Sequence, residues 1–159
     1  MKQKYAKTSL FVFIILCLAV EIGASYWTNL SVSTWYPSLI KPSWTPPGWL
    51  FGPIWTILYL MIAISGWLIF TAEYSSRRTI ALMFYGTQLT LNLLWSFLFF
   101  SLKSPVLGLI DILLLSLLII LTIFSAWSVR RLAAILLIPY LIWVIYATSL
   151  NAKIWLLNV

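Results

Sequence analysis

Hydrophobic positions along this chain neither alternate nor form narrow stripes; they run on for about twenty residues at a time, the length a helix needs to cross ~30 Å of hydrocarbon. Five such stretches lie at approximately Ser9 to Trp27, Trp49 to Ala72, Ile80 to Leu102, Val106 to Val129, and Leu132 to Trp155. A transmembrane β-barrel would alternate apolar and polar residues in segments of about ten, whereas these runs are continuous and rich in Leu and Ile. The pattern predicts an all-α integral membrane protein, a single domain over residues 1–159 built as a bundle of five transmembrane helices. Polar links at Glu73 to Arg78, Lys103-Ser104-Pro105 and Arg130-Arg131 are too short for anything but antiparallel neighbours. The one long connection runs from about Thr28 to Gly48.

That connection, continued into the second span, reads TNLSVSTWYPSLIKPSWTPPGWLFGPIW. It interleaves Pro37, Pro42, Pro46, Pro47 and Pro53 with Trp35, Tyr36, Trp44, Trp49 and Trp55. Proline fixes φ and pushes the preceding residue extended, and Pro53 suits the first turn of the second span. A flexible linker would use Gly and Ser instead. Stiff backbone carrying large flat rings predicts a Pro/Trp-rich first loop that caps a ligand pocket. The alternative is an interfacial loop whose indoles anchor in the headgroups, the natural reading of Trp49 alone.

Some aromatic residues lie where an interfacial belt does not reach. Trp27, Trp127 and Trp155 sit near span ends and fit the belt, but Trp143 falls mid-span and Trp95 only about four residues, roughly 6 Å, past the middle of its own. Their indole N–H groups need acceptors at hydrocarbon depth and should face protein or a cavity. Helical spacing joins them to polar neighbours: Gln88, Asn92, Trp95 and Phe99 share one face of the third span, and Tyr140, Trp143, Ala147, Leu150 and Asn151 one face of the fifth. Trp55 and Tyr59 pair on the second, and Pro139 should kink the fifth. These faces are expected to converge, either as helix-to-helix hydrogen bonds worth about 0.6–2 kcal/mol each or around a ligand-sized space.

Composition removes whole classes of chemistry. Of 159 residues 63% are hydrophobic and 8% charged, His is absent, and Cys17 is the only Cys. Zinc sites, imidazole ligation of haem, Ser/His or Cys/His catalysis and intrachain disulfides have no residues to build them. Cys17, inside an apolar run, reads as packing. The net charge of +7 comes from basic residues scattered singly and in pairs between spans, a membrane pattern and not a nucleic-acid stripe. Lys2, Lys4, Lys7, Arg77, Arg78, Arg130 and Arg131 fall on one side, against Lys41, Lys103 and Lys153 on the other. The positive-inside rule then puts the N-terminus in the cytoplasm and the C-terminus outside, as in a bacterial cell membrane. A cleaved signal peptide is the alternative for the first span, but Ile22-Gly23-Ala24 is a poor cleavage site.

Two carboxylates lie inside spans, where a charge at the centre costs on the order of 2.5–3.5 kcal/mol on insertion scales. Asp111 has a structural reading: capping backbone, accepting from an indole, or meeting Lys103. Glu21 receives no role from its sequence context.

The run KPSWTPPGWLFGPIW (Lys41 to Trp55), preceded by Trp35-Tyr36, resembles the hallmark of the TspO/MBR family, which includes the tryptophan-rich sensory proteins and the translocator protein once called the peripheral benzodiazepine receptor. The resemblance continues through Gln88-Leu89-Thr90-Leu91-Asn92-Leu93-Leu94-Trp95, Asp111-Ile112-Leu113-Leu114, and Pro139-Tyr140-Leu141-Ile142-Trp143 to Ala147-Thr148-Ser149-Leu150-Asn151. It implies a five-helix bundle, usually homodimeric, that binds porphyrins (protoporphyrin IX, haem), sterols and isoquinoline or benzodiazepine drugs. By motif the pocket would include Trp35, Tyr36, Pro42, Trp55, Asn92, Trp95, Trp143, Ala147 and Leu150; Trp44, Gln88 and Tyr140 join it from the loop and face patterns above. Some relatives are described as degrading porphyrin photo-oxidatively, with indoles matching Trp55 and Trp143 implicated. Small residues on the third span form the dimer face in relatives, and Gly86-x-x-x-Thr90 is a loose echo of it. One departure concerns sterols: six residues separate Tyr146 from Lys153, one too many for the cholesterol motif.

The leading expectation is therefore a non-enzymatic membrane receptor or carrier for a flat hydrophobic ring such as a tetrapyrrole, requiring no cofactor, set among membrane lipid and without nucleic acid. Propionates of such a ligand could be met by an indole N–H, Asn92 or Lys41. The alternatives are light- and oxygen-dependent porphyrin breakdown through Trp55 and Trp143, and transport by alternating access, for which no internal repeat is recognisable.

Overall fold

The computed structural model describes the backbone of residues 2–159 and the side chains of residues 7–159; the side chains of Lys2 and Lys4, which enter the charge count, lie outside that range. Among the described residues all regular structure is helical. Helix α1 spans Lys2–Asn29, α2 Phe51–Phe70, α3 Ser76–Ser96, α4 Pro105–Trp127 and α5 Arg131–Leu157. These five helices match the five apolar stretches in the sequence. Four contain segments long and apolar enough to cross a membrane: Lys7–Asn29, Gly48–Phe70, Pro105–Trp127 and Arg131–Leu157. Helix α3 is the exception because Thr87, Gln88, Thr90, Asn92 and Ser96 interrupt its apolar character.

Helix boundaries follow local chemistry. Ser75 accepts from the Arg78 amide at 3.2 Å at the start of α3, and Ser104 plays the same part for Leu107 with Pro105 at the first position of α4. Both are ordinary N-caps. Lys103 turns the corner between α3 and α4 with φ 52°, the left-handed conformation that lets a short link reverse direction. The last turn of α3 widens into a π-helical segment at Phe97–Ser101, which the sequence pattern did not signal. Helix α5 continues through Pro139, whose missing amide leaves the Ile135 carbonyl without its usual partner.

Packing joins the helices into a closed ring in the order α1, α2, α5, α4, α3 and back to α1. The links make every adjacent pair antiparallel except α1 and α3. The C-terminal ends of α1, α3 and α5 and the N-terminal ends of α2 and α4 therefore share one end of the bundle with the long first loop. The opposite half is solid. Ala81, Ala126, Ala133 and Ala134 are fully buried with Ile69, small side chains letting backbones approach closely. Ser65 donates across to the Ala133 carbonyl at 2.8 Å, and Tyr85 donates to the Ile62 carbonyl at 3.1 Å. Cys17 is buried against the Tyr85 hydroxyl at 3.5 Å.

Gly66 is the tightest point of that half. A Cβ there would lie 2.4 Å from Tyr85 Cζ and 2.7 Å from Phe13 Cδ1, whereas one at Gly52 would meet nothing within 4 Å. Overpacking of this kind costs about 1–3 kcal/mol. Thermal unfolding in detergent is expected to show Gly66→Ala melting below the parent and Gly52→Ala unchanged; equal melting of all three would refute the close approach.

Candidate functional site

Where the other half of the ring opens, it encloses a cavity of about 390 Å³, within the roughly 300–1,000 Å³ usual for ligand sites. Its walls come from the loop-side ends of all five helices. Helix α3 supplies Asn92, Trp95 and Ser96, with Phe99 and Phe100 from its π-helical turn. Helix α5 supplies Trp143, Val144, Ala147, Leu150, Asn151 and Ile154, helix α2 Phe51, Gly52, Trp55 and Tyr59, and helix α4 Ile112 and Leu115. Helix α1 adds Glu21, Ala24, Ser25, Thr28 and Asn29, and the loop adds Val32, Tyr36 and Gly48.

Two hydrogen-bonded chains hold these walls at fixed separations. In one, Tyr59 donates to Asn92 Oδ1, Asn92 Nδ2 donates to the Tyr140 hydroxyl at 2.8 Å, and that hydroxyl donates to Gln88 Oε1 at 3.0 Å. This links α2, α3 and α5 through buried groups. In the other, Trp95 Nε1 donates to Asn151 Oδ1 at 3.1 Å and Asn151 Nδ2 to the Pro105 carbonyl at 2.7 Å, joining α3, α5 and α4. Gly108 makes room for this chain, since a Cβ there would sit 3.0 Å from both Asn151 Oδ1 and Phe99.

Rings cover much of the remaining surface. Trp95 stacks on Phe99 with centroids 5.1 Å apart and planes 20° apart, and Trp55 leans on Tyr59 at 5.5 Å. Trp143 meets Phe51 edge-on at 5.8 Å. Its Nε1 is buried without a partner, as are Gln88 Nε2 and Asp111 Oδ2.

The first loop is tied to the bundle at several points. Ser31 donates to the Phe100 carbonyl at 2.7 Å, and Tyr146 of α5 donates to the Trp44 carbonyl at 2.7 Å. Asn158 exchanges two bonds of 2.9 Å with the Ile40 backbone. Lys41 Nζ donates to the Tyr36 and Leu39 carbonyls at 2.9 Å each and lies 4.9 Å from the centre of the Tyr36 ring. Burial, with the Tyr146 phenol adding to it, pushes the Tyr36 phenol above its ordinary pKa, so Tyr36 stays neutral at physiological pH.

Of the site residues proposed from sequence, Tyr36, Trp55, Asn92, Trp95, Trp143, Ala147 and Leu150 lie on the cavity wall. The others lie off the wall. Gln88 and Tyr140 are buried behind Asn92 as its hydrogen-bonding support. Trp35 packs edge-on against Phe99 at 5.6 Å. Pro42 is buried within the loop, where its carbonyl accepts from Thr45, and the half-exposed Trp44 ring contributes through its backbone carbonyl. Trp49 is 73% exposed, as an interfacial anchor would be.

Of the donors suggested for a ligand's carboxylates, Lys41 and Asn92 already donate within the protein; among the indoles on the wall, Trp95 donates to Asn151, while the Trp143 N–H has no partner. Asp111 is buried on α4, and its Oδ2 has no hydrogen-bond partner. The first-helix wall was missed although a signal existed: Glu21, Ala24, Ser25, Thr28 and Asn29 recur at steps of three, one, three and one, a small and polar stripe on one helical face. Ile112 and Leu115 carried no such signal.

A sequence model described as the TspO/MBR family matches residues 13–156. The chain is 43% identical to the tryptophan-rich protein TspO of Archaeoglobus fulgidus over 91% of its own length and 94% of the relative's. It is 33% identical to the tryptophan-rich sensory protein of Cereibacter sphaeroides, covering 92% of this chain and 90% of that one. With the human translocator protein it shares 37% identity over 76% of this chain and 73% of the other.

Tyr140 supports the wall without forming it, which separates stability from binding. Tyr140→Phe removes an acceptor from Asn92 and a donor from Gln88, a loss of about 1–2 kcal/mol. Unfolding in detergent should register that loss, while the affinity of any ligand that fills the cavity stays within about twofold, a change of only ~0.4 kcal/mol. Unchanged stability would mean the chain of bonds does not hold the helices.

Proposed function

Because the chain belongs to the TspO/MBR family and is an integral membrane protein, we propose that it is a membrane receptor or carrier for a flat hydrophobic ring ligand, with metal-free porphyrin as the type compound. The observation that carries this reading is the aromatic cavity gathered from all five helices and the first loop. Trp55, Trp95 and Trp143 offer extended faces there, and large apolar area with few polar groups is what such ligands require. The loop serves as the roof, its ties to α5 and the π-helical turn giving it a fixed shape before any ligand arrives. The absence of His removes the commonest axial ligand for haem iron, which favours a metal-free ring.

A second reading, light-dependent oxidation of the bound ring by dioxygen, is favoured by the presence of both Trp55 and Trp143 on the cavity wall. Trp55 lies within 6.3 Å of Tyr140 and 5.5 Å of Tyr59, phenols near enough to exchange an electron with it.

Gly86 and Thr90 lie on the exposed face of α3, and a Cβ at Gly86 would meet nothing within 4 Å. We assign this flat strip to contact with a second copy. The basic links at Arg77-Arg78 and Arg130-Arg131 orient the N-terminus toward the cytoplasm.

Titrating the purified protein with protoporphyrin IX is expected to quench Trp fluorescence and shift the Soret band at micromolar ligand. Ala147→Leu, which fills part of the cavity, should weaken binding at least about tenfold, ~1.4 kcal/mol; Trp49→Phe should not. Indifference of both signals to ligand would end the receptor reading. Under illumination, bleaching faster than that of free porphyrin and slowed by Trp55→Phe or Trp143→Phe would decide for the second reading. Crosslinking in membranes is expected to trap a dimer that Gly86→Leu depletes severalfold, and a wild-type protein that crosslinks only as monomer would remove the dimer.

A further inference from the structure

The cavity is not closed on every side. Of the residues that line it, Ser25, Asn29, Val32, Gly48 and Gly52 are themselves exposed. All of these lie on the last turns of α1, in the first loop or at the start of α2. The lining residues of α3, α4 and α5 are buried or half-buried. The opening therefore falls on one seam of the ring, between α1 and α2 at their loop-side ends.

One bond fixes how these two helices run past each other. Thr56 donates to Glu21 Oε1 at 2.7 Å. Because α1 and α2 are antiparallel, four residues on along α1 and four back along α2 bring Ser25 level with Gly52. Four more bring Asn29 level with Gly48. At each of those levels one partner has no side chain, and a Cβ at either glycine would meet nothing within 4 Å. Gly66 and Gly108, by contrast, are packed against Tyr85 and Asn151. The seam is thus bridged at Glu21 and Thr56 and unfilled above them, through a height of about 12 Å.

The roof leaves this side free. The bonds from Ser31 to Phe100, Tyr146 to Trp44 and Asn158 to Ile40 all lead to the π-helical turn or to the loop-side end of α5. Either side of the seam is apolar surface: Ile22 and Tyr26 on α1, and Trp49 and Ile57 at and beyond the start of α2, are all exposed. Rings such as Tyr26 and Trp49 near span ends sit at headgroup level, which puts the opening at the top of the acyl chains.

We propose that this seam is a lateral portal through which a flat apolar ligand passes between the cavity and the bilayer, with Gly48 and Gly52 keeping it clear. Such a ring is driven out of water into the hydrocarbon, so an opening on the lipid side meets it where it is concentrated. The inference rests on the reading of the cavity as a ring-binding site and adds the route by which that site fills.

The test uses the full chain in liposomes with protoporphyrin IX, following Trp quenching on mixing and its recovery on dilution into excess empty vesicles. Gly52→Leu narrows the portal and should slow association and dissociation alike, each by at least about tenfold. A reversible seal checks the same point: Ser25→Cys capped with a benzyl methanethiosulfonate should slow both rates, and reduction should restore them. Wild type treated in the same way should not change, since Cys17 is buried. Rates unaffected by the seal, or dissociation that becomes faster, would mean that the seam is only wall, and would overturn the portal while ring binding stands. A bimane on Ser25→Cys is expected to be quenched by lipids brominated high on their acyl chains; quenching by aqueous iodide instead would make the opening an aqueous one and overturn the bilayer route. If Gly52→Leu does not fold, the reversible seal decides. Failure of the wild type to bind the porphyrin overturns the ring-binding reading and this inference with it.

Discussion

The structure depends on one constraint: a polar group at hydrocarbon depth must find its partner inside the protein. Water is not there to receive it, so each amide, phenol or indole that leaves the lipid face becomes a tie between helices. This chain uses that requirement to hold helices apart as much as together. Asn92, reaching Tyr59 on one side and Tyr140 on the other, spans the gap between α2 and α5 at the floor of the cavity. Asn151 does the same between α3 and α4. An apolar core of the same residue count would be free to close up; these directed bonds are satisfied only when the walls stand apart.

The division of the bundle follows from where such groups occur. Toward the end away from the loop, Ala81, Ala126, Ala133 and Ala134 let the helices meet with little between them, and Gly66 admits the Tyr85 ring. Toward the loop the same helices carry Trp, Tyr, Phe and Asn, whose bulk and bonding geometry prevent that approach. The π-helical turn at Phe97–Ser101 adds to the effect by setting both Phe99 and Phe100 on the cavity side, where Phe99 meets Trp35, Tyr36 and Trp95.

The five helices were legible because continuous apolar runs have one physical explanation, and so were the converging faces, because 3.6-residue periodicity places Asn92 with Trp95 and Trp143 with Ala147. Periodicity assigns a face but not a depth within it. Gln88 and Tyr140 belong to the same faces as wall residues, yet their hydrogen bonds draw them one layer behind. The loop's stiffness could be read from its prolines, but its attachments could not. Asn158, nearly at the end of the chain, holds Ile40 through a contact between residues 118 positions apart. The π-helical turn left no trace in FLFFS, since the same aromatic run would fit an ordinary helix. The α1 stripe from Glu21 to Asn29 was readable and was overlooked because its residues are small.

The distribution of hydrogen-bonding capacity then decides what kind of recognition the cavity supports. Lys41, the Asn92 and Asn151 amides and the Trp95 indole are bound to protein, and the loop above is fastened through Ser31, Trp44 and Ile40 by bonds that involve no ligand. A site built this way requires little ordering on binding, so buried apolar area and ring contact translate into affinity with smaller entropic loss. It also has few means of telling one apolar ring from another, because discrimination needs a polar group that is left unsatisfied by the wrong partner. On this wall the Trp143 N–H is one such group, buried without a partner. In the receptor reading, affinity and selectivity then fall to different groups, the rings and rigid walls to the one and an unpartnered donor such as the Trp143 N–H to the other.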